Sequence, residues 1–153
     1  MSIKEKILDD LKSAMKSKDS GRLLVLRSLK AKILEKEISE RKGGESTLSD
    51  EQIIEVLMKA AKQRKESIEQ FESGGREDLA NQEKQELSII EQYLPEMMSA
   101  DEIRNAVLDQ ISQMGASGPG DMGKVMGALM GKLKGKAEGS LISSIVKEEL
   151  SKL

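Results

Sequence analysis

Three copies of one short motif restrict this chain to a helical fold more strongly than any other feature of its sequence. In each copy a serine is followed three residues later by Glu or Gln, and an apolar run with helical spacing comes next. This is the capping box, in which the two side chains satisfy free backbone amides in the first turn of a helix. The motif predicts helix starts at Ser2, Ser49 and Ser99.

The composition also favours a helical core. The chain of 153 residues has one Phe, one Tyr and no Trp, so Leu, Ile, Val and nine Met must fill its interior. These residues suit a helix bundle better than a β-sandwich, whose strands favour aromatic and β-branched residues. With 37% hydrophobic and 34% charged residues, we expect a soluble protein without a secretory signal or a membrane span. The absence of cysteine fits a reducing compartment, and we expect a cytoplasmic location.

The residues that the chain lacks restrict its chemistry. With neither Cys nor His, it has no thiol nucleophile, no imidazole base and no zinc site of the usual nitrogen and sulfur ligands. The sequence also contains no GxxxxGK[ST] phosphate loop and no EF-hand calcium loop. We therefore predict no catalytic residue, no cofactor and no resident metal.

Apolar spacing, glycines and prolines predict seven helices and no strand, and hence an all-α fold. Four helices precede Pro95, which cannot continue a helix and marks our domain boundary. The sequence thus predicts a four-helix N-terminal domain over residues 1–95 and a compact three-helix domain over 96–153. Gly43-Gly44 is predicted to end the second helix, and Gly74-Gly75 the third. The predicted helices span about 2–18, 19–41, 49–72, 76–93, 99–114, 121–133 and 140–150, with a loop over 115–120.

Charge is distributed unevenly along the chain. Residues 1–44 carry twelve basic and seven acidic side chains, whereas residues 45–95 carry six basic and twelve acidic ones. Two interpretations stand. The two stretches form helical hairpins whose charges complement each other, or the basic first hairpin faces a nucleic acid.

A helix wheel places charged residues inside the apolar stripes of the third and fourth helices. Arg64 falls in the stripe of the third helix, and Glu83 and Glu86 fall in that of the fourth. The turn at Gly74-Gly75 would fold these helices together, so we predict an ion pair of Arg64 with Glu83 or Glu86. Either the pair fixes the register of the bundle, or the cluster binds an anion or performs acid/base chemistry.

The second helix shows the same pattern. Arg27, Lys30 and Glu37 fall among apolar residues that we assign to its buried stripe, namely Leu23, Leu26, Ile33 and Leu34. Because an unpaired charge on a buried face is costly, we add these three residues to the predicted buried ion-pair cluster. Its members are expected to pair with one another or to line an opening.

The sixth predicted helix carries two stripes. Met, Val and Leu residues make an apolar face, and Gly123, Gly127 and Gly131 recur at every fourth position. A glycine in a helix interior is about 1 kcal/mol less favourable than alanine, so we predict that another backbone approaches this stripe closely. That backbone is a neighbouring helix in one interpretation, and a ligand or phosphate backbone in the other.

Four lysines make this segment the predicted nucleic-acid site. Residues 122–137 contain no acidic residue, and three of the lysines lie close to the start of the last helix. Lysines beside free helix-start amides can hold phosphate groups. The predicted RNA-binding residues are Lys124, Lys132, Lys134 and Lys136.

Six segments spread over nearly the whole chain carry a family resemblance, namely residues 22–30, 62–71, 75–79, 93–95, 122–126 and 136–141. On these segments the chain resembles the YqeY family, and its C-terminal part is similar to the tail domain of GatB, a component of the tRNA-dependent amidotransferase.

The resemblance implies a compact helical tail that engages tRNA. Nothing in this chain matches the catalytic domain of GatB, so the expected function is a non-catalytic tRNA- or RNA-binding adaptor beside a tRNA-dependent enzyme. The alternatives are a protein-interaction module that packs on a partner helix, and an accessory factor in carbon–nitrogen ligation with glutamine as amido donor. The last alternative ranks lowest because the sequence offers no nucleophile.

Overall fold

The computed structural model describes residues 1–41 and 47–153, and it is all-helical over both ranges. The predicted end of the second helix at Gly43-Gly44 lies outside the described residues. The described part contains seven α-helices and one short 3₁₀ turn at Pro119–Asp121. The helices are α1 (Ile3–Ser17), α2 (Ser20–Ser39), α3 (Asp50–Ser73), α4 (Glu77–Glu91), α5 (Ala100–Met114), α6 (Met122–Leu133) and α7 (Gly139–Ser151).

All three predicted helix starts are confirmed. Ser2 and Ser49 each form a complete capping box, with the serine side chain and the side chain three residues later both accepting backbone amides. At Ser99 the box is one-sided. The amide of Glu102 donates to Ser99 Oγ at 3.2 Å, but the Glu102 carboxylate accepts the serine hydroxyl instead of the serine amide.

Glycine ends two of the helices where the sequence predicts an end. Gly75 follows α3 with φ of 72°, and Gly115 follows α5 with φ of 63°. Both values lie in the left-handed region, which glycine adopts without the steric penalty that a Cβ brings. The predicted loop over 115–120 overlaps the 3₁₀ turn, which extends one residue further to Asp121 and leads directly into α6.

The chain divides into two compact units, Met1–Leu94 and Pro95–Leu153. In the first unit α3 packs along α4, α1 packs along α2, and α2 also contacts α3 and α4. In the second unit α5, α6 and α7 pack against one another. Each unit has its own aliphatic core, the first centred on residues such as Leu26, Leu57 and Ile90, the second on residues such as Ile103, Leu129 and Val146.

Candidate nucleic-acid interface

Helix α6 presents its two stripes to opposite sides. Val125, Leu129 and Leu133 are buried in the core of the second unit. The glycine stripe, which consists of Gly123, Gly127 and Gly131, is exposed. Counted at about 100° per residue, it is centred roughly opposite the buried residues. The helix therefore places its barest surface on the side that points away from its own core.

The predicted close approach to the glycine stripe is absent from the described part of the chain. A Cβ added to any of the three glycines would meet nothing within 4 Å. A neighbouring helix of this fold is therefore the wrong explanation for the stripe, because the core contacts of α6 are all made by its other face. The three glycines leave an open, smooth helix surface.

The four candidate lysines are all exposed, but they differ in the contacts that they make. Lys124 lies on α6 next to the glycine stripe. Lys132 turns toward α5, where its Nζ donates to Gln110 Oε1 at 2.7 Å. Lys134 and Lys136 follow the helix, and the carbonyl of Lys136 accepts the amide of Met98 at 2.9 Å. At 1.5 Å per residue, Lys124 and Lys132 are about 12 Å apart along the helix axis.

Two carboxylates bound this lysine segment. Asp121 accepts the amide of Ser117 at 2.8 Å. That hydrogen bond, together with the nearby charge of Lys124, lowers the pKa of Asp121 from its ordinary value. Glu138 occupies the N-cap position of α7 and accepts the hydroxyl of Ser140 at 2.8 Å. A negative charge thus already lies at the start of α7, which weakens the predicted role of that helix start in holding a phosphate.

The predicted ion pair between α3 and α4 is present. Arg64 Nη1 donates to Glu83 Oε2 at 3.0 Å and also to Glu86 Oε2. All three side chains are between one-tenth and one-quarter exposed. One guanidinium thus bridges two carboxylates one turn apart on α4 and ties the long helical hairpin together.

The rest of the predicted buried cluster holds for Glu37 and is wrong for Arg27 and Lys30, although Lys30 does line an opening beside α2. Arg27 and Lys30 are exposed, and Glu37 is buried but pairs with Lys4 of α1, whose Nζ lies 2.6 Å from Glu37 Oε1. The physical reason is a rotation of α2 relative to the wheel that we assumed. Its buried face contains Val25 and Leu29, and Leu34 is half exposed.

Two polar clusters were not predicted. Tyr93 donates its hydroxyl to Asp10 Oδ2 at 2.5 Å and accepts from Arg22 at 3.3 Å, which ties the segment after α4 to α1 and α2. The signal in the sequence was the one tyrosine of the chain, placed just before Pro95.

In the second unit, Arg104 of α5 pairs with Glu148 and Glu149 of α7. These hydrogen bonds raise the pKa of Arg104, while those from Lys152 and Arg104 lower the pKa of Glu149. The charges of this cluster are therefore mutually satisfied, and it ties α5 to α7.

Among the described residues, no group of three or more acidic side chains is placed to hold a metal ion. Within the same ranges, every helix is too short or too polar to cross a membrane.

Comparison with known proteins gives the family. The model of the Yqey-like protein family matches residues 4–150. The chain belongs to the YqeY-like family. The predicted membership of the YqeY family is thereby confirmed.

Curated relatives from fungi are about one-third identical to this chain over the aligned residues. Altered inheritance of mitochondria protein 41, mitochondrial, of Candida glabrata is 31% identical over 112 residues, which cover 72% of this chain and 60% of the relative. The protein of the same name from Pyrenophora tritici-repentis is 30% identical over 122 residues, covering 76% and 65%. The one from Kluyveromyces lactis is 34% identical over 113 residues, covering 72% and 59%. The chain thus spans about three-fifths of the length of these relatives.

These names contradict the cytoplasmic location that we expected, because they describe the relatives as mitochondrial. The expectation was wrong for a physical reason. A lack of cysteine reports only that the fold needs no disulfide, and it carries no information about which reducing compartment holds the protein.

Proposed function

We propose that this chain is an RNA-binding adaptor that binds the backbone of a structured RNA on the outer face of α6 and the turn that follows it. Among structured RNAs, we propose tRNA as the ligand. The observation that carries the proposal is the open glycine stripe beside Lys124 in a segment without acidic residues. Glycine allows a backbone to approach closely, and lysine supplies the charge that a phosphate attracts. The two units are proposed to act as separate domains, the second of which meets the RNA.

The chemistry of this surface predicts how RNA would be bound. It has no aromatic side chain on which a base could stack, and lysine is a flexible point charge without the rigid fork of arginine. Binding is therefore expected to follow the shape and the phosphates of the RNA, with little dependence on its sequence. With four phosphate contacts, affinity should fall on the order of fiftyfold to 150-fold between 50 and 200 mM salt.

The test is a tRNA titration at those two salt concentrations. We expect the variant with Lys124, Lys132, Lys134 and Lys136 changed to alanine to lose about tenfold or more in affinity at the lower salt. A matched control changes Lys59, Lys62, Lys65 and Lys147 to alanine, which removes the same four charges from exposed positions elsewhere. Equal losses in both variants would mean that only the total charge of the protein matters. No binding of tRNA at low salt would contradict the proposal.

The glycine stripe allows a second, independent test. Because a Cβ at Gly127 meets nothing within 4 Å, Gly127→Ala should stabilise the second unit by about 1 kcal/mol. If a phosphate backbone lies against the stripe, the same variant should bind tRNA more weakly although it is more stable. A loss of binding with a gain of stability cannot come from misfolding.

The open stripe also favours a second candidate function, the docking of a partner helix on α6. Small residues at every fourth position let two helices approach closely. Binding of a protein partner that survives loss of the four lysines, but is abolished by Gly127→Leu in a correctly folded chain, would favour this candidate over RNA.

A further inference from the structure

Helix α2 is apolar on two sides, and its own unit uses only one of them. Val25, Leu26, Leu29 and Ile33 are buried in the first unit. Three other large aliphatic residues on this helix, Leu24, Leu34 and Ile38, are 60%, 50% and 56% exposed. No other helix in the described part exposes three large aliphatic side chains. A helix with large apolar residues on two opposite sides is typical of a position that is covered on both of those sides.

The exposed residues form one continuous stripe, which we call the α2 seam. It consists of Leu24, Arg27, Ala31, Leu34 and Ile38, whose alternating spacing of three and four residues is that of a coiled-coil contact. Leu34 also lines a slot of about 260 Å³ between α1 and α2, together with Leu8 and Ile33. The seam is therefore a ridge with an apolar slot beside it.

Two basic side chains, Arg27 and Lys30, and one acidic side chain, Glu35, are exposed on or beside the seam, so its charge is positive on balance. Arg27 lies within the stripe, and Lys30 lines the slot next to Leu34. Among the described residues that line the slot, Glu37 is the one carboxylate, and Lys4 already neutralises it at 2.6 Å. A partner that covers the seam must bring apolar side chains for the slot and negative charge for its rim.

We propose that the α2 seam is a docking site for an acidic amphipathic helix of a partner protein. Such a helix places apolar residues at positions i, i+3 or i+4 and i+7 into the slot and along the seam, while its acidic residues face Arg27 and Lys30. The slot is smaller than the 300–1,000 Å³ of a typical small-molecule site, and this favours the insertion of a side chain. A second copy of this chain fits less well, because two such seams would bring like charges together.

The experiment selects binders from a displayed library of helical peptides, with the whole 153-residue chain as target. We expect the selected peptides to be enriched in Asp and Glu on one face and in Leu-type residues at the spacing of the seam. Their binding should fall about tenfold or more in the Leu34→Ser, Ile38→Ser variant, since buried aliphatic anchors dominate such contacts. It should also fall in the Arg27→Glu, Lys30→Glu variant and weaken with salt.

Matched controls exclude general effects of the substitutions. Leu108→Ser with Met114→Ser removes two aliphatic residues of similar exposure from α5, and it should leave peptide binding unchanged. Lys59→Glu with Lys62→Glu reverses two exposed charges on α3 instead. Because all seam residues are exposed, circular dichroism and thermal unfolding should show that each variant is folded.

Several results would overturn the proposal. They are a selection without enrichment, selected peptides that are basic, and peptides that bind the two seam variants as well as the parent chain. Sedimentation that shows a dimer lost in the Leu34→Ser, Ile38→Ser variant would identify a second copy as the occupant instead. Binding of the parent chain, but not of that variant, to vesicles of phosphatidylglycerol and phosphatidylcholine without competition by the peptide would identify a lipid surface. None of these results depends on whether α6 binds RNA.

Discussion

Both helical hairpins of the first unit have charged residues within an apolar stripe of their sequence. The structure accommodates these charges differently in the two hairpins. In α3–α4, charges fall inside the apolar stripe and pair across the hairpin, Arg64 with Glu83 and Glu86. In α1–α2, Arg27 and Lys30 are exposed, and so are two leucines on the same side of α2, Leu24 and Leu34. A charge within an apolar stripe therefore has two explanations, a buried pair or a stripe that its own fold does not bury.

The difference between the hairpins lies in the partner that each charge finds. Glu83 and Glu86 are one turn apart on α4, so a single guanidinium can satisfy both carboxylates. Arg27 and Lys30 have the same sign, so they cannot pair with each other, and Glu37 pairs with α1. The sign and spacing of charges across two helices thus indicate whether an apolar stripe is closed or open.

The largest effect is expected from Arg64→Met. The change leaves two mostly buried carboxylates without a cation, and we expect it to lower the free energy of unfolding in urea by about 2–4 kcal/mol. Adding Glu83→Gln and Glu86→Gln to it should restore part of the loss, since no unpaired charge is then left. If Arg64→Met leaves stability intact and instead abolishes binding of a ligand, the structural interpretation of the cluster fails.

The next largest effect on stability is expected at Tyr93, which connects the end of the α3–α4 hairpin to α1 and α2. Burial, followed by the hydrogen bond and the negative charge of Asp10, raises the pKa of Tyr93 to about 12 from its ordinary value of 10.0. The native state thus holds the phenolic proton more tightly than the unfolded state. The stabilisation is complete below pH 10 and declines by about 2–3 kcal/mol as pH rises toward 12.

Tyr93 is the one tyrosine and the chain has no tryptophan, so ultraviolet absorbance of tyrosinate reports this residue alone. Titration of the folded protein should give a midpoint near the raised pKa, and titration in urea a midpoint near the ordinary one. Tyr93→Phe should remove the decline in stability that is specific to this residue above pH 10. A midpoint in the folded protein close to the ordinary value would show that the contact with Asp10 does not persist in solution.

Local signals predict more of this fold than of its surfaces. The helix starts at Ser2 and Ser49 are encoded within four residues, and the turn at Gly74-Gly75 fixes which helices meet, so the Arg64 pair could be predicted. The rotation of α2 could not be predicted in the same way. When a helix has apolar residues on two sides, its sequence does not indicate which side faces the core. The openness of the stripe at Gly127 likewise depends on what α5 and α7 leave uncovered, which spacing within α6 does not contain.

A smaller effect is expected at the ion pair that holds α1 to α2. Lys4→Met removes the cation from Glu37, but Lys4 is about one-third exposed and water can reach the site. We therefore expect a loss of about 1–2 kcal/mol, less than at Arg64. A double-mutant cycle with Glu37→Gln isolates the energy of the pair. A coupling energy as large as that of Arg64 with its two carboxylates would remove the contrast between the hairpins.

The smallest effect on stability is expected from Arg27→Leu. This variant is nevertheless the most direct test of whether the apolar stripe of α2 is open, unlike that of the α3–α4 hairpin. Because Arg27 is exposed, the free energy of unfolding of dilute protein should change by no more than about 0.5 kcal/mol. The substitution would, however, make the α2 seam apolar from Leu24 to Ile38 and remove its central charge. Sedimentation should then show association that increases with concentration, because a continuous apolar seam can pair with itself. A chain that unfolds more easily and stays monomeric would show that Arg27 belongs to the fold after all.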